Sequence, residues 1–276
     1  MGIEYSIGNR CLVYYPPYSC TFVLDPLPEI IIDNSLVQYS GLNSTAVLQG
    51  YMSSAVSVNQ LPAYTEKLGS ALGGLLPIPN AVGLGALVIS IILELILGTN
   101  DQVSTGDILR RVFAEEKASE IRDLMDEYMR RLTLNLRSPR LQLEDTRRIE
   151  AMLSVQLTRL KNSMLTDGHM SPRALSHWVN GAAFHAQMLI HQARLEDGDG
   201  SRATAALDLY QRDLNLLNDN YRTYVPDLEA LCLRKHVPKL ECNMELEGPK
   251  QYFSSVKQDI QALIKQHNTF KAVLNS

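Results

Sequence analysis

Between Asp33 and Asp101 the chain carries almost no charge, Glu66, Lys67 and Glu94 being the only acidic or basic side chains there. The core of this stretch, Leu84-Gly-Ala-Leu-Val-Ile-Ser-Ile-Ile-Leu-Glu-Leu-Ile-Leu97, is apolar around most of a helix's circumference. A surface helix needs a polar face, so two environments are left, the inside of a bundle or lipid. Catalytic motifs are lacking as well. HExxH, GxSxG, Walker A and paired CxxC are all missing, so no catalytic residue is nominated, no metal or other cofactor is expected, and the chain reads as a non-enzyme. Clustered positive charge is missing too, which sets nucleic acid aside as a partner. Residues 1–30 lack a basic n-region followed by an apolar h-region, since Glu4, Arg10 and Pro16-Pro17 interrupt the apolar residues.

What is present is core-forming material. With 276 residues, 45% of them hydrophobic, the chain can bury a substantial interior, and global disorder is excluded. The formal net charge of −4 divides unevenly: residues 1–100 hold two basic and six acidic side chains, whereas residues 101–276 hold 24 of each. Four cysteines fall as two close pairs, Cys11 with Cys20 and Cys232 with Cys242. Such spacing fits local disulfides in a secreted protein, although four thiols allow three pairings and reduced, buried cysteines remain an alternative. Asn43-Ser44-Thr45 is a glycosylation sequon that points the same way. The expected location is therefore extracellular or membrane-associated. Met1-Gly2-Ile3-Glu4-Tyr5-Ser6 matches a myristoylation pattern, which is read as coincidence.

Residues 1–41, rich in tyrosine, proline and β-branched side chains, read as an extended N-terminal arm with room for a short hairpin, which a disulfide could fix to the body. Residues 42–276 read as a helical bundle, apolar and charge-poor over 42–100, long and amphipathic over 101–276. A helix is expected over Leu42 to Gln60 and another from Pro62 toward Leu76. Pro77 and Pro79 break the second. Asn80 can cap a helix from Ala81 to Leu97, about 25 Å long. Thr105 opens a helix with the stripe Ala114, Ala118, Ile121, Met125, Tyr128 and Leu132. Asp145 or Thr146 opens the next, with Ile149, Leu153, Leu157, Leu160 and Met164 inward and Asp167-Gly168 as its stop. Ser171-Pro172 is a cap followed by proline at the first helical position. Leu175, Val179, Ala182, Ala186, Leu189 and Ala193 follow in register. Beyond a polar turn with a capping Ser201, Ala203, Leu207, Tyr210, Leu214, Leu217 and Tyr221 repeat the spacing. A short helix starts at Pro226, and a last one, from about Pro249, carries Phe253, Val256, Ile260, Leu263, His267, Phe270 and Leu274. The fold class is all-α, a multi-helix bundle around a central apolar helix.

Polar clusters offer little chemistry. His177, His185 and His191 share a helix but do not converge on one metal at about 100° per residue, and they read as solvated or singly hydrogen-bonded. Asp197, Asp199 and Ser201 resemble the opening of a calcium loop, but Arg202 stands where that loop needs glycine, so a polar interhelical turn is the better reading. Gly69 and Gly73, with Ala81, Gly83 and Gly85, put small residues where a partner helix can approach closely. Glu94 should find a basic or polar partner in the folded protein.

The stretch Gly73-Gly-Leu-Leu-Pro-Ile-Pro-Asn-Ala-Val-Gly-Leu-Gly-Ala-Leu-Val-Ile-Ser-Ile-Ile-Leu93, followed by Ile108-Leu-Arg-Arg-Val-Phe-Ala-Glu-Glu-Lys117, resembles fish rapunzel-like and cephalotoxin-like proteins. It also resembles α-helical pore-forming toxins in general, which sheathe an apolar helix until its release. The resemblance implies a secreted cytolysin or defence protein whose partner is a lipid membrane, with homo-oligomers in prospect. Leu84, Leu87, Val88, Ile89, Ile91, Ile92, Leu93, Leu95, Ile96 and Leu97 are the candidate inserting residues. The alternative is a structural or protein-binding bundle whose apolar helix never leaves the core.

Overall fold

The computed structural model describes residues 30–44, 46–48, 50, 83–97, 120–136, 138–224 and 246–266, the side chains of 91–97 and 222–224 excepted, together with the backbone of 4–7 and 10–13. Strands β1 (Glu4–Ile7) and β2 (Arg10–Val13) pair antiparallel, Glu4 opposite Val13 and Ile7 opposite Arg10. This is the hairpin the N-terminal composition allows for. The rest of the described chain forms an all-α multi-helix bundle.

The extended reading of residues 1–41 gives way at α1 (Asn34–Ser40). Asp33 caps that helix, its carboxylate accepting from the Ser35 amide at 2.8 Å, and satisfies a donor the first turn cannot pair internally. Asn180, far along the chain, holds the approach to α1: its side-chain oxygen accepts from the Asp33 amide at 2.7 Å and its nitrogen donates to the Ile31 carbonyl at 3.0 Å. The apolar helix α2 (Leu84–Leu97) begins three residues later than Ala81 and has 14 residues, or about 21 Å of rise. Gly83, at φ 56°, supplies the left-handed turn that sets this start.

Helix α3 (Glu120–Leu134) buries Ile121, Met125, Tyr128 and Leu132, as their spacing requires; its expected start at Thr105 lies outside the described residues. Helix α4 (Pro139–Thr166) begins well before Asp145, so neither Asp145 nor Thr146 opens it. The Ser138 hydroxyl accepts from the Leu141 amide, and Pro139 occupies the first turn, the same device that Ser171 and Pro172 use for α5 (Pro172–Leu195). The stop at Asp167-Gly168 is where the sequence puts it, Gly168 standing at φ 74°. In α6 (Ser201–Tyr224) Ser201 is the first helical residue and not the cap: the Gly200 carbonyl accepts from the Thr204 amide at 2.9 Å, and the Asp199 carboxylate accepts from the Ser201 amide at 2.9 Å. Helix α7 (Glu247–Lys265) starts two residues before Pro249 and buries Phe253, Val256, Ile260 and Leu263. The expected helices near Pro62 and Pro226 lie outside the described residues, as do His267, Phe270 and Leu274.

The helix with neighbours on every side is α5, packed against α1, α2, α3, α4, α6 and α7. Every residue from His177 to Arg194 is buried. Small side chains make this feasible. A Cβ on Gly181 would come within 2.8 Å of Ile121 and 2.9 Å of Leu157, so glycine lets α3 and α4 close onto α5 together. Helix α2 shares the interior beside it, against α1, α3 and α5.

Candidate functional site

Over its described side chains, Gly83 to Ser90, α2 shows no exposed face. Leu84, Leu87, Val88 and Ile89 are buried, Ile89 completely, and the Ser90 hydroxyl is satisfied by donating to the Leu87 carbonyl at 2.8 Å. Helical geometry carries the other candidate inserting residues, Ile91, Ile92, Leu93, Leu95, Ile96 and Leu97, along the same element; their side chains, and that of Glu94, lie outside the described residues. No described helix is long and apolar enough to cross a membrane. Gly85 is buried in the first turn of α2. Gly69, Gly73, Cys20, Cys232 and Cys242 fall outside the described residues, and Cys11 is placed only by its backbone, opposite Ser6. Asn43 is exposed in the turn after α1.

The start of α2 rests on a polar seat. A Cβ on Gly83 would lie 3.4 Å from the Arg194 guanidinium and 3.5 Å from the Gln187 side-chain oxygen, so a side chain there would press on the seat. Gln187 in turn donates to the Tyr252 hydroxyl at 3.2 Å, and Arg194 donates from Nε to the Leu263 carbonyl at 2.8 Å. Arg194 is 4% exposed, and its Nη2 has no hydrogen-bond partner. Burial lowers its pKa to about 10, with Tyr128 acting in the opposite sense. A guanidinium in such surroundings normally recruits a carboxylate; among the described residues none pairs with it.

The histidines of α5 are buried rather than solvated, and His191 is singly hydrogen-bonded. His185 bridges two helices: its Nε2 lies 3.1 Å from Glu150 of α4 and its Nδ1 lies 2.7 Å from the Tyr210 hydroxyl of α6. Arg202 reaches the other Glu150 oxygen at 3.1 Å. Burial opposes ionisation of Glu150, but the hydrogen bonds and charges of His185 and Arg202 outweigh it and hold the carboxyl below its usual range. An ionised Glu150 accepts only, which assigns a proton to His185 Nε2. His191, completely buried, meets the Gln142 side-chain oxygen at 3.1 Å through Nε2 and has no partner at Nδ1. This polar layer escaped sequence reasoning because its partners lie on different helices; the one available signal was the run of polar residues in α5 on more faces than a solvated stripe would occupy.

The described residues hold no cluster of potential metal ligands. A groove of about 420 Å³ runs between the segment around α1 and helix α7, with Ile31, Ile32, Val37, Tyr252 and Val256 among its walls. No protein-family model, curated protein or solved structure matches the chain.

Proposed function

We propose that this is a non-enzymatic, membrane-active helical protein, a pore-forming or cytolytic factor in which the bundle shields α2 until a trigger frees it. The observation that carries the reading is the contrast between α2 and its neighbours. Each of α3, α4, α6 and α7 keeps a charged, solvated face, whereas α2 is apolar around most of its circumference, with Glu94 its one charged residue, and buries every described side chain. Such a helix gains about as much from hydrocarbon as from a protein interior, so a modest change in bundle stability redistributes it between the two. Its rise of about 21 Å is short of the roughly 30 Å hydrocarbon core. Insertion therefore involves local thinning or a further apolar segment, for which the charge-poor residues before Gly83 supply the composition.

Release of a trapped dye from liposomes by the purified protein tests the reading directly. A disulfide engineered between α2 and α5 is expected to preserve the fold and suppress release until reduced; equal release from the oxidised, stapled protein would remove α2 from the mechanism. The second reading, a protein-binding bundle, draws on the groove beside α1, where Ile31 is 53% and Val37 47% exposed. It requires that no lipid composition or pH yields leakage.

A further inference from the structure

The polar seat under α2 places two basic groups on adjacent turns of α5, and their surroundings point to what could set the apolar helix free. His191 is completely buried. With Nε2 donating to the Gln142 oxygen 3.1 Å away, an additional proton would have to go on Nδ1, which faces no acceptor. Three residues on, the buried Arg194 guanidinium has one nitrogen without a partner and lies against Gly83, the residue that starts α2. A second positive charge at His191 would stand beside the first with no carboxylate among the described residues paired to either.

Among the described residues most charged and titratable groups of the surrounding helices are committed elsewhere; on α1 the Asp33 carboxylate accepts from the Ser35 amide through one oxygen and has no partner at the other. From α3, Arg131 binds Asp145 of α4, and the Tyr128 hydroxyl pairs with Thr146. From α4, Asp145 also takes Asn135 and Arg148, Arg147 binds Glu196, and Glu150 holds His185 and Arg202. From α6, Arg202 reaches Gln192 and Glu150, and Tyr210 caps His185. From α7, Tyr252 accepts from Gln187. Helix α2 presents no ionisable side chain between Gly83 and Ser90.

We propose that His191 is an acid sensor for the release of α2: neutral and buried when the bundle is closed, it takes up a proton once the α4–α5 contact opens, and the resulting cation beside Arg194 prevents the seat under Gly83 from re-forming. This rests on the reading of α2 as the releasable element and names its trigger, mild acid. Burial, and after it the charge of Arg194, lowers the His191 pKa from 6.5 to about 3 in the closed state. A histidine depressed on folding favours the closed form at high pH, and that advantage is lost progressively as pH falls from the unfolded value toward the folded one. Between pH 7 and pH 5 the opening equilibrium rises about 25-fold on this account. The window lies above the ordinary carboxylate range; burial raises Asp33, in the α1 cap, toward it.

The test measures opening and lysis separately on the full chain. Opening is read as loss of hydrogen-exchange protection at the amides of α2, corrected for intrinsic rates; lysis is read as dye release from vesicles of equimolar phosphatidylcholine and phosphatidylglycerol. The wild-type protein should lose about 25-fold in α2 protection between pH 7 and pH 5, and His191→Gln, which keeps a donor to Gln142 but cannot titrate, should lose almost none. His169→Gln, on the surface beside Ser163, should behave as wild type. An unchanged pH response in His191→Gln overturns the sensor. Should that variant fail to fold, the imidazole signals of the wild-type protein decide: a His191 still neutral at pH 5 supports the sensor, and one that titrates near pH 6.5 with the bundle closed overturns it. Opening that depends on His191 without dye release upholds the sensor and defeats the membrane reading. Dye release indifferent to pH does the reverse.

Discussion

Gly181 concentrates the packing problem of the bundle in one position. Alanine there gains about 1 kcal/mol of helix propensity, but its methyl would sit 2.8 Å from Ile121 and 2.9 Å from Leu157, and overpacking of that kind costs about 1–3 kcal/mol. Gly181→Ala is expected to be destabilising by up to about 2 kcal/mol net in urea unfolding. Glu150 gives a second residue-scale expectation, this one dependent on pH. Its carboxyl is lowered on folding from 4.5, so the stability it contributes is complete above that value and disappears as pH drops through the folded one. Glu150→Gln should therefore flatten the acid limb of a stability profile below about pH 4.5 and leave the contribution of His191, at higher pH, in place. Sequence reading reached neither residue. Gly181 looks like one more small residue in α5, and Glu150 like one more acidic residue on a solvated face. Each acquires its meaning from helices brought close by folding.

The caps of α4 and α5 show how far single elements can be read. Ser171-Pro172 was legible because Leu175 and Val179 resume the apolar stripe at once. Ser138-Pro139 is chemically the same signal, but Gln142 and Thr146 occupy the inward positions of the next two turns, both buried, and an apolar periodicity is silent there. Their partners explain the choice: Gln142 donates to the Leu136 carbonyl at 2.9 Å, and Thr146 meets the Tyr128 hydroxyl at 2.9 Å. The bond to the Ser171 cap is 3.1 Å and that to Ser138 is 3.4 Å. Ser171→Ala should accordingly cost about 1 kcal/mol and Ser138→Ala only a few tenths, a difference that paired denaturant titrations would resolve. In α2, Ile89→Lys would strand an ammonium at a completely buried position and should remove several kcal/mol of a total near 5–15. Loss of cooperative unfolding and of near-ultraviolet dichroism would register it.

For the whole molecule, the all-α class and the buried state of the described half of α2 followed from periodicity and the want of charge. The middle position of α5 did not. His177, Asn180, His185, Gln187, His191, Gln192 and Arg194 make that helix look half polar, and a hydrophobicity argument favours Leu84 to Leu97 for the centre instead. Burial was achieved by pairing polar groups across helices, with Asn180 gripping the strand-like approach to α1 and His185 bridging α4 to α6. Hydrogen exchange should reflect this rank order. The amides of α5 are expected to exchange only through global unfolding, and those of α1, a short helix beside the groove, through local opening at much lower free energy. If α5 exchanged as fast as α1, its place at the hub would be wrong.

The order of the elements along the chain also sets a schedule. The apolar helix ends at Leu97, whereas the α5 surface that covers it is complete only at Leu195. A ribosome working at about 5–20 residues per second needs roughly 5–20 s to cover that interval. Throughout it, the least soluble segment of the polypeptide is outside without its cover. The charge-poor helix is thus made before the helix that buries it, and its burial is a late event in the synthesis of the chain.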